Sequence, residues 1–344
     1  MSSVGLDISD QSIRFVELKE TKNEFTVKKF GQRNIEPGII VEGEIKNSDA
    51  VKKELAALHD EFKIEFANVS LPEQQAYLLK LNLPKMKPIE IRGSLELQLE
   101  EYVPISPGEA VFDFDLIKSV SGQEDYLEVG LTALPRMVSE SYASIFSGTG
   151  ITPLTFEVEA QSIARAAIPK GDKGTFMIMD FGKTRTGISI VSEEVAVFTS
   201  TINVGGIALT KAIEKQFGVD TTEAERIKKE EGFAKGSNAQ GMLLTLMSTI
   251  SILRDEINKH YVYWHTHLDQ YGKKRSKIEK VLLCGGDSNL AGFTDYLSSG
   301  LKAEVELANT MVNVNTFNHY IPEIEFSESL SYATAIGLAL RSFE

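Results

Sequence analysis

One local pattern, occurring twice, constrains this chain more than any other. It is an apolar strand ending in aspartate, a tight polar turn and a second alternating strand. The first copy reads GLDISDQSIRFVEL from Gly5, and the second reads MDFGKTRTGISIV from Met179. Asp7 and Asp180 close the leading strands. The turns carry Ser9, Asp10, Gln11 and Ser12 in one copy and Gly182, Lys183, Thr184 and Thr186 in the other. Turn N–H groups and hydroxyls of this kind can donate to phosphate oxygens. An aspartate at the strand end can hold Mg²⁺ through water, because that ion sheds its hydration shell reluctantly. Two such tips facing each other would clamp a nucleotide triphosphate between two lobes. Either hairpin alone reads equally well as an ordinary polar turn; the pair favours the clamp.

The chain has 344 residues, too many for one ordinary core, so at least two domains are expected. Its formal net charge of −13, with no block of basic residues expected, argues against nucleic acid or anionic lipid as the main partner. A single cysteine, Cys284, sits in an apolar run and is expected to be a buried, inert thiol. The opening MSSVGLDIS lacks a basic n-region and a long apolar stretch, so no signal peptide is expected. The longest apolar run, Met242 to Leu253, is broken by Thr245, Ser248, Thr249 and Ser251 and reads as a core-facing helix.

The periodicities divide the chain. Strands are expected at Ser12–Lys19, Phe25–Phe30 and Ala67–Leu71, with a helix bearing Leu55, Leu58 and Phe62 behind an Asn47/Ser48 cap. From Tyr77 the pattern changes to a strand, a helix with Ile91, Leu95, Leu97, Leu99 and Tyr102, two strands joined by SGQED, a helix around Met137–Phe146, and a further strand before Phe156. This βαββαβ order suggests a small α+β module inserted in the first lobe. Strands then recur at Phe176–Phe181, Gly187–Val191 and Val195–Ile202. A helical stretch is expected from Ala208 to Gln270, broken near Gly218, Gly232 and Gly236. A strand at Val281–Cys284, a helix from Leu290 to Leu301, a strand at Ala303–Leu307 and a small-residue helix in SLSYATAIGLALRS complete the pattern.

Two glycine pairs stand where a strand turns into a helix, Gly205-Gly206 in INVGGIALTKAI and Gly285-Gly286 in VLLCGGDSNLAGF. Glycine there lets a ligand approach the backbone, and α/β sheets bind ligands at such strand ends. In TTEAERIKKEEG, Glu225 and Lys228 share a helix face. They form a solvated salt bridge or, facing a cleft, a pair that holds ribose and flanks a base. His265 and His267, two apart, do not share a helix face and are not expected to hold a metal. Trp264 with Tyr261 and Tyr263 reads as a helix anchor.

The order of these motifs, with the helix in FEVEAQSIARA between the two hairpins, resembles the actin-like ATPase superfamily. More narrowly it resembles the PilM family of type IV pilus assembly, with the cell-division protein FtsA as a relative. The phrases VFTSTINVGGIALTKAI, LEVGLTALPRMVSESY and TAIGLALRS carry the narrower likeness. The resemblance implies an α/β, actin-like (RNase H-like) two-lobed fold with a βαββαβ subdomain of the 1C type. It places the first lobe at 1–76 with 153–165 and 329–344, the inserted module at 77–152, and the second lobe at 166–206 with 278–328 and its subdomain at 207–277.

The resemblance further implies ATP in the central cleft, with Mg²⁺ near Asp7 and Asp180 and the two turns at the β- and γ-phosphates. Gly205 and Gly206 would lie by phosphates and sugar, Glu225 and Lys228 by ribose and adenine, and Gly285 and Gly286 behind the α-phosphate and base. Glu159 stands where relatives carry a polar residue near the attacking water, and reads equally as a helix-surface carboxylate. Three departures bear on this. Ser9 replaces the family's usual glycine, Asp287 adds a carboxylate that could repel phosphate, and Lys183 adds a compensating charge. ATP binding with weak or absent hydrolysis follows.

The implied role is a cytoplasmic scaffold that docks the N-terminal tail of a PilN-type inner-membrane protein and meets the membrane through that partner. The tail would lie between the first lobe and the module, near Tyr77–Leu83 and Ile91–Tyr102. Self-association is a further implication. One alternative is an FtsA-like filament former, disfavoured because the last helix runs into Arg341–Glu344 with no amphipathic segment after it. Another is an actin-fold small-molecule kinase, for which no catalytic base or sugar loop is found.

Overall fold

The computed structural model describes residues 3–21, 24–117, 126–233, 239–269, 272–315 and 320–344. The opening alternation makes an antiparallel meander of β1 (Val4–Ile8), β2 (Ser12–Glu20) and β3 (Phe25–Asn34). A short hairpin, β4 (Ile40–Val41) with β5 (Glu44–Ile45), leads into α1 (Ser48–Phe62). Asn47 caps that helix by accepting from the Ala50 N–H at 3.1 Å, which satisfies one of its orphan donors. Val51, Leu55 and Leu58 are buried, and β6 (Phe66–Leu71) then runs parallel to β1.

After a 3-10 turn at Glu73–Gln75 the chain enters the module: β7 (Tyr77–Pro84), α2 (Pro88–Tyr102), β8 (Ala110–Ile117), β9 (Tyr126–Pro135) and α3 (Arg136–Ser144). The expected SGQED turn lies outside the described residues. The strands form a separate sheet in the order β7-β9-β8, covered by Ile91, Leu95 and Leu99 of α2. Leu97, expected on the same face, is 89% exposed, because at 3.6 residues per turn it falls opposite Leu95 and Leu99. The last strand of the expected βαββαβ unit, β10 (Thr152–Val158), does not join this sheet. Gly148 and Gly150, at φ 81° and 83°, turn the chain back so that β10 pairs in parallel with β6. The first-lobe sheet is therefore β10-β6-β1-β2-β3. The helix expected through FEVEAQSIARA begins as strand: Phe156–Val158 end β10, and α4 (Glu159–Ala167) starts only at Glu159.

The second lobe repeats the arrangement. β11 (Thr175–Phe181) and β12 (Thr186–Ser192) form a hairpin extended by β13 (Val195–Ile202). The expected helical stretch is three helices, α5 (Gly206–Phe217), α6 (Thr221–Glu230) and α7 (Ala239–Thr266). Gly218 ends α5 at φ 67°, and Gly232 follows α6 at φ 34°; Gly236 lies outside the described residues. β14 (Lys280–Cys284), α8 (Phe293–Leu301) and β15 (Val305–Leu307) complete a sheet ordered β13-β12-β11-β14-β15. In both lobes a hairpin's leading strand also pairs in parallel with a later strand, β1 with β6 and β11 with β14. That shared core points both hairpin tips into one cleft.

The chain returns to the first lobe through α9 (Phe326–Ser329) and α10 (Ala333–Leu340). α10 lies directly on β1 and α4, because Gly5 and Gly337 leave no Cβ between backbones: one at Gly5 would overlap the Ala335 carbonyl oxygen, one at Gly337 that of Ser162. Cys284 is fully buried, and burial pushes its thiol up, as an inert core residue requires. Among the described residues, no helix is long and apolar enough to cross a membrane.

Candidate functional site

The two hairpin tips meet across a cleft of about 600 Å³. Its floor is carboxylate. Asp7 sits at the end of β1, directly across from Arg14 on β2. Its Oδ1 accepts at 3.1 Å from Ser70 Oγ on β6, and Ser70 in turn accepts from the Ile8 N–H at 2.9 Å. Asp180 ends β11 beside Cys284 of β14 and below Gly285, where a Cβ would strike its carboxylate. Gly285 is at φ 93°, so that position requires glycine for its conformation as well. Burial pushes Asp7 and Asp180 up to about 6, and the Asp180 charge adds to the rise at Asp7.

Arg185, in the second turn, ties the hairpins together. Its Nη1 donates to Asp10 Oδ1 at 2.9 Å, and its Nη2 to both oxygens of Glu159 at 3.1 and 3.3 Å. Thr184 Oγ1 adds a bond to Asp10 Oδ2 at 3.4 Å. Asp10 also accepts from the Gly43 N–H, and the Tyr142 hydroxyl of α3 donates to the Gly43 carbonyl at 3.0 Å. The module is thus linked to the first tip through one residue, Gly43. Glu159 is buried, not a helix-surface carboxylate, and burial pushes it up to about 7 despite the Arg185 guanidinium beside it. Glu73, on the turn entering the module, is buried beneath Gly187, and burial with the nearby Glu159 and Asp180 charges pushes it well up.

Most of the expected site residues reach the cleft wall: Asp7, Ser9, Asp10, Gln11, Ser12, Glu159, Asp180, Gly182, Lys183, Thr184, Glu225, Gly285, Gly286 and Asp287. Four do not, and each has a structural reason. Thr186 is fully buried and donates to the Val204 carbonyl at 2.6 Å. Gly205 backs onto the second turn, whose Gly182 carbonyl accepts from the Gly206 N–H at 3.0 Å. The space a Cβ would need at Gly206 is filled by the Asp287 carboxylate. Lys228 is sealed behind the wall, 2.6 Å from Asp287 and 2.9 Å from Glu225. The Asp287 charge is therefore neutralised by Lys228 and is not a bare repulsion against phosphate. Ser9 turns its hydroxyl onto its own hairpin, donating to the Ser12 carbonyl at 3.0 Å, and so closes the turn.

Sequence reasoning passed over Arg14, Ser70, Glu73, Arg185, Lys211 and Lys229. Arg185 stands inside the second turn and Arg14 opposite Asp7, so both were visible to a register argument. Glu73 and Ser70 come together with the site only through the sheet. Along the wall, Lys183, Lys211 and Lys229 form no salt bridge among the described residues. Cations without salt bridges at the rim, over the buried Asp7 and the half-buried Asp180, suit a polyanion carrying a divalent cation. Among the described residues no cluster of three or more metal-ligating side chains occurs. A cation between Asp7 and Asp180 would complete its shell with water and ligand oxygens, as Mg²⁺ prefers.

The profile of the type IV pilus assembly protein PilM family matches residues 5–343. The chain belongs to the PilM family. Among solved structures, the PilM-PilN type IV pilus biogenesis complex contains a chain 22% identical to this one, with 100% of this chain and 99% of that one covered and a TM-score of 0.80. The ethanolamine utilization protein EutJ from Carboxydothermus hydrogenoformans is 16% identical, over 99% of this chain and 89% of that one, with a TM-score of 0.58. MreB5 of Spiroplasma citri bound to ADP is 14% identical, over 91% and 93%, with a TM-score of 0.57. These likenesses establish the actin-like fold. As a PilM-family member the chain is a type IV pilus assembly protein.

Proposed function

We propose that this PilM-family chain binds ATP with Mg²⁺ in the central cleft and acts as a scaffold more than as a turnover enzyme. The observation that carries this is the meeting of the two hairpin tips over Asp7 and Asp180, under three lysines that form no salt bridge among the described residues. Asp7 and Asp180 would hold the metal through water. The turn N–H groups of Ser9–Ser12 and Gly182–Thr184 would meet the phosphates, with Glu225 by the ribose and Gly285-Gly286 beside the base. The bound metal would neutralise phosphate charge. Glu159 is the one candidate to handle a water proton, and its two bonds to Arg185 keep it occupied; slow hydrolysis is the expected consequence.

The same reading gives the scaffold a PilN-type partner, which the PilM-PilN neighbour supports. Its N-terminal tail would dock where module and first lobe meet, holding a cytoplasmic protein against the inner membrane. β8 and β10 are edge strands of the two sheets there, bearing the half-exposed Leu116 and Leu154, and Asp115 of β8 lies in the field of Glu157, Arg165 and Arg341. Exposed strand edges accept extended peptides by backbone hydrogen bonding. Isothermal titration with Mg-ATP tests the cleft: micromolar or tighter binding, lost in Asp180→Ala, is expected. Undiminished binding in that variant, or none by folded wild type, would remove the nucleotide reading.

A further inference from the structure

A second cleft, of about 560 Å³, opens away from the hairpin tips between the module and the second lobe. One wall is β7 from Leu78 to Asn82 with Tyr102 and Tyr126; the other is Phe198, the end of α7 and the loop after it. That loop holds the chain's densest basic run, Lys273-Lys274-Arg275-Ser276-Lys277, a short block that corrects the expectation of none. Between 259 and 280 there are six lysines and arginines against two carboxylates, in a chain whose formal charge is −13.

The loop has a built shape. Trp264 Nε1 donates to the Ser276 carbonyl at 2.8 Å, and the Ile278 N–H donates to His265 Nε2 at 3.2 Å. Asp269 accepts from the Lys273 N–H at 2.8 Å, so this carboxylate serves its own turn. The Arg275 guanidinium lies 4.7 Å from the Trp264 ring and 5.7 Å from the Tyr263 ring. Its Nε is buried and has no hydrogen-bond partner among the described residues, although buried polar atoms are rarely left unmet. Lys274 is exposed on the cleft and, like Arg275, forms no salt bridge among the described residues. Of the other carboxylates lining the cleft among the described residues, Glu128 is taken by Lys80 at 3.0 Å, which leaves Glu101 against Lys274 and Arg275.

We infer that this cleft docks an extended, carboxylate-rich segment of a partner protein. Lys274 and Arg275 would meet its acidic side chains, and the aromatic wall would take the apolar residues between them. The site is separate from the nucleotide cleft and from the β8–β10 junction; its β7 wall and Tyr102 belong to the segments where the PilN-type tail is expected from the sequence, but here they face the second lobe and not the first. A peptide is favoured over an anionic bilayer because Lys273, Lys274 and Arg275 line a cleft, which a strand can enter and a membrane surface cannot.

The test is fluorescence anisotropy of the full-length protein with a short fluorescein-labelled peptide of alternating glutamate and leucine. Saturable binding is expected, weakened about tenfold by Lys274→Glu, an exposed position where misfolding is not at issue, and similarly by Arg275→Gln. Lys53→Glu on α1 makes the same charge change far from the cleft and should leave affinity unaltered. Absence of saturable binding, or equal loss in Lys53→Glu, would overturn the proposal. So would sedimentation with phosphatidylglycerol vesicles that depends on Lys274 while the peptide fails to bind; that outcome would give the loop to a bilayer.

Discussion

At the scale of single residues, the Lys228–Asp287 pair is where a local rule and its context part company. An i,i+3 glutamate–lysine pair on a helix is ordinarily a solvated bridge worth a few tenths of a kcal/mol. Here Lys228 is 1% exposed and Asp287 8% exposed, so the second partner decides the energetics. Removing one member of a buried pair strands the other charge, at a cost of about 3 kcal/mol. Lys228→Met should therefore lower stability by roughly that amount in urea unfolding, whereas Lys228→Met with Asp287→Asn should recover most of it. A loss below about 1 kcal/mol in the single variant would mean that Asp287 is solvated after all.

At the scale of elements, α10 shows packing overruling propensity. Glycine inside a helix is worse than alanine by about 1 kcal/mol, so Gly337→Ala would stabilise an isolated helix. In the folded protein the added Cβ falls on the Ser162 carbonyl of α4, which is backbone and cannot rotate away. Overpacking of this kind costs about 1–3 kcal/mol. We expect Gly337→Ala to lower the melting temperature; a rise would refute the close α4–α10 contact. The small-residue stripe in TAIGLALRS thus signalled close packing in the sequence, but only the fold shows that α4 and β1 are its neighbours.

At the scale of the whole molecule, closing two lobes over one cleft places like charges together. Asp7 and Asp180 are held protonated up to about 6 and Glu159 up to about 7, first of all by burial. Unfolded carboxylates ionise near 4, so between these values the folded protein binds more protons than the unfolded chain. Stability should then fall as pH rises from about 4 to about 7, with Asp180 contributing on the order of 3 kcal/mol. Glu157 and Glu225, held below their usual range, add stability as pH rises through the ordinary glutamate range, so they oppose the decline only at the acid end of this window. Thermal melts across this range without divalent metal should show the decline, and Asp180→Asn should flatten part of it. Stability that rises through the window would contradict the buried carboxylate cluster.

Read alone, the chain determined a good deal. The paired hairpins, the glycine pairs, the change of period at Tyr77 and the Asn47 cap are local signals, set by strand alternation, turn chemistry and helix capping over a few residues. They sufficed for the α/β class, the two-lobed order and most of the cleft wall. What needed the tertiary structure were the pairings between distant segments. β10 left the module for the first sheet, Lys228 turned from a surface residue into the buried partner of Asp287, and Arg185 joined Asp10 to Glu159. Ser70 became a neighbour of the site through the β1–β6 register, and Glu73 through the packing of its turn beneath Gly187. The physical reason is common to all of these. Periodicity states which face of an element is buried, but the partner that covers it, and whether a buried charge is met, depend on how the sheets and lobes close.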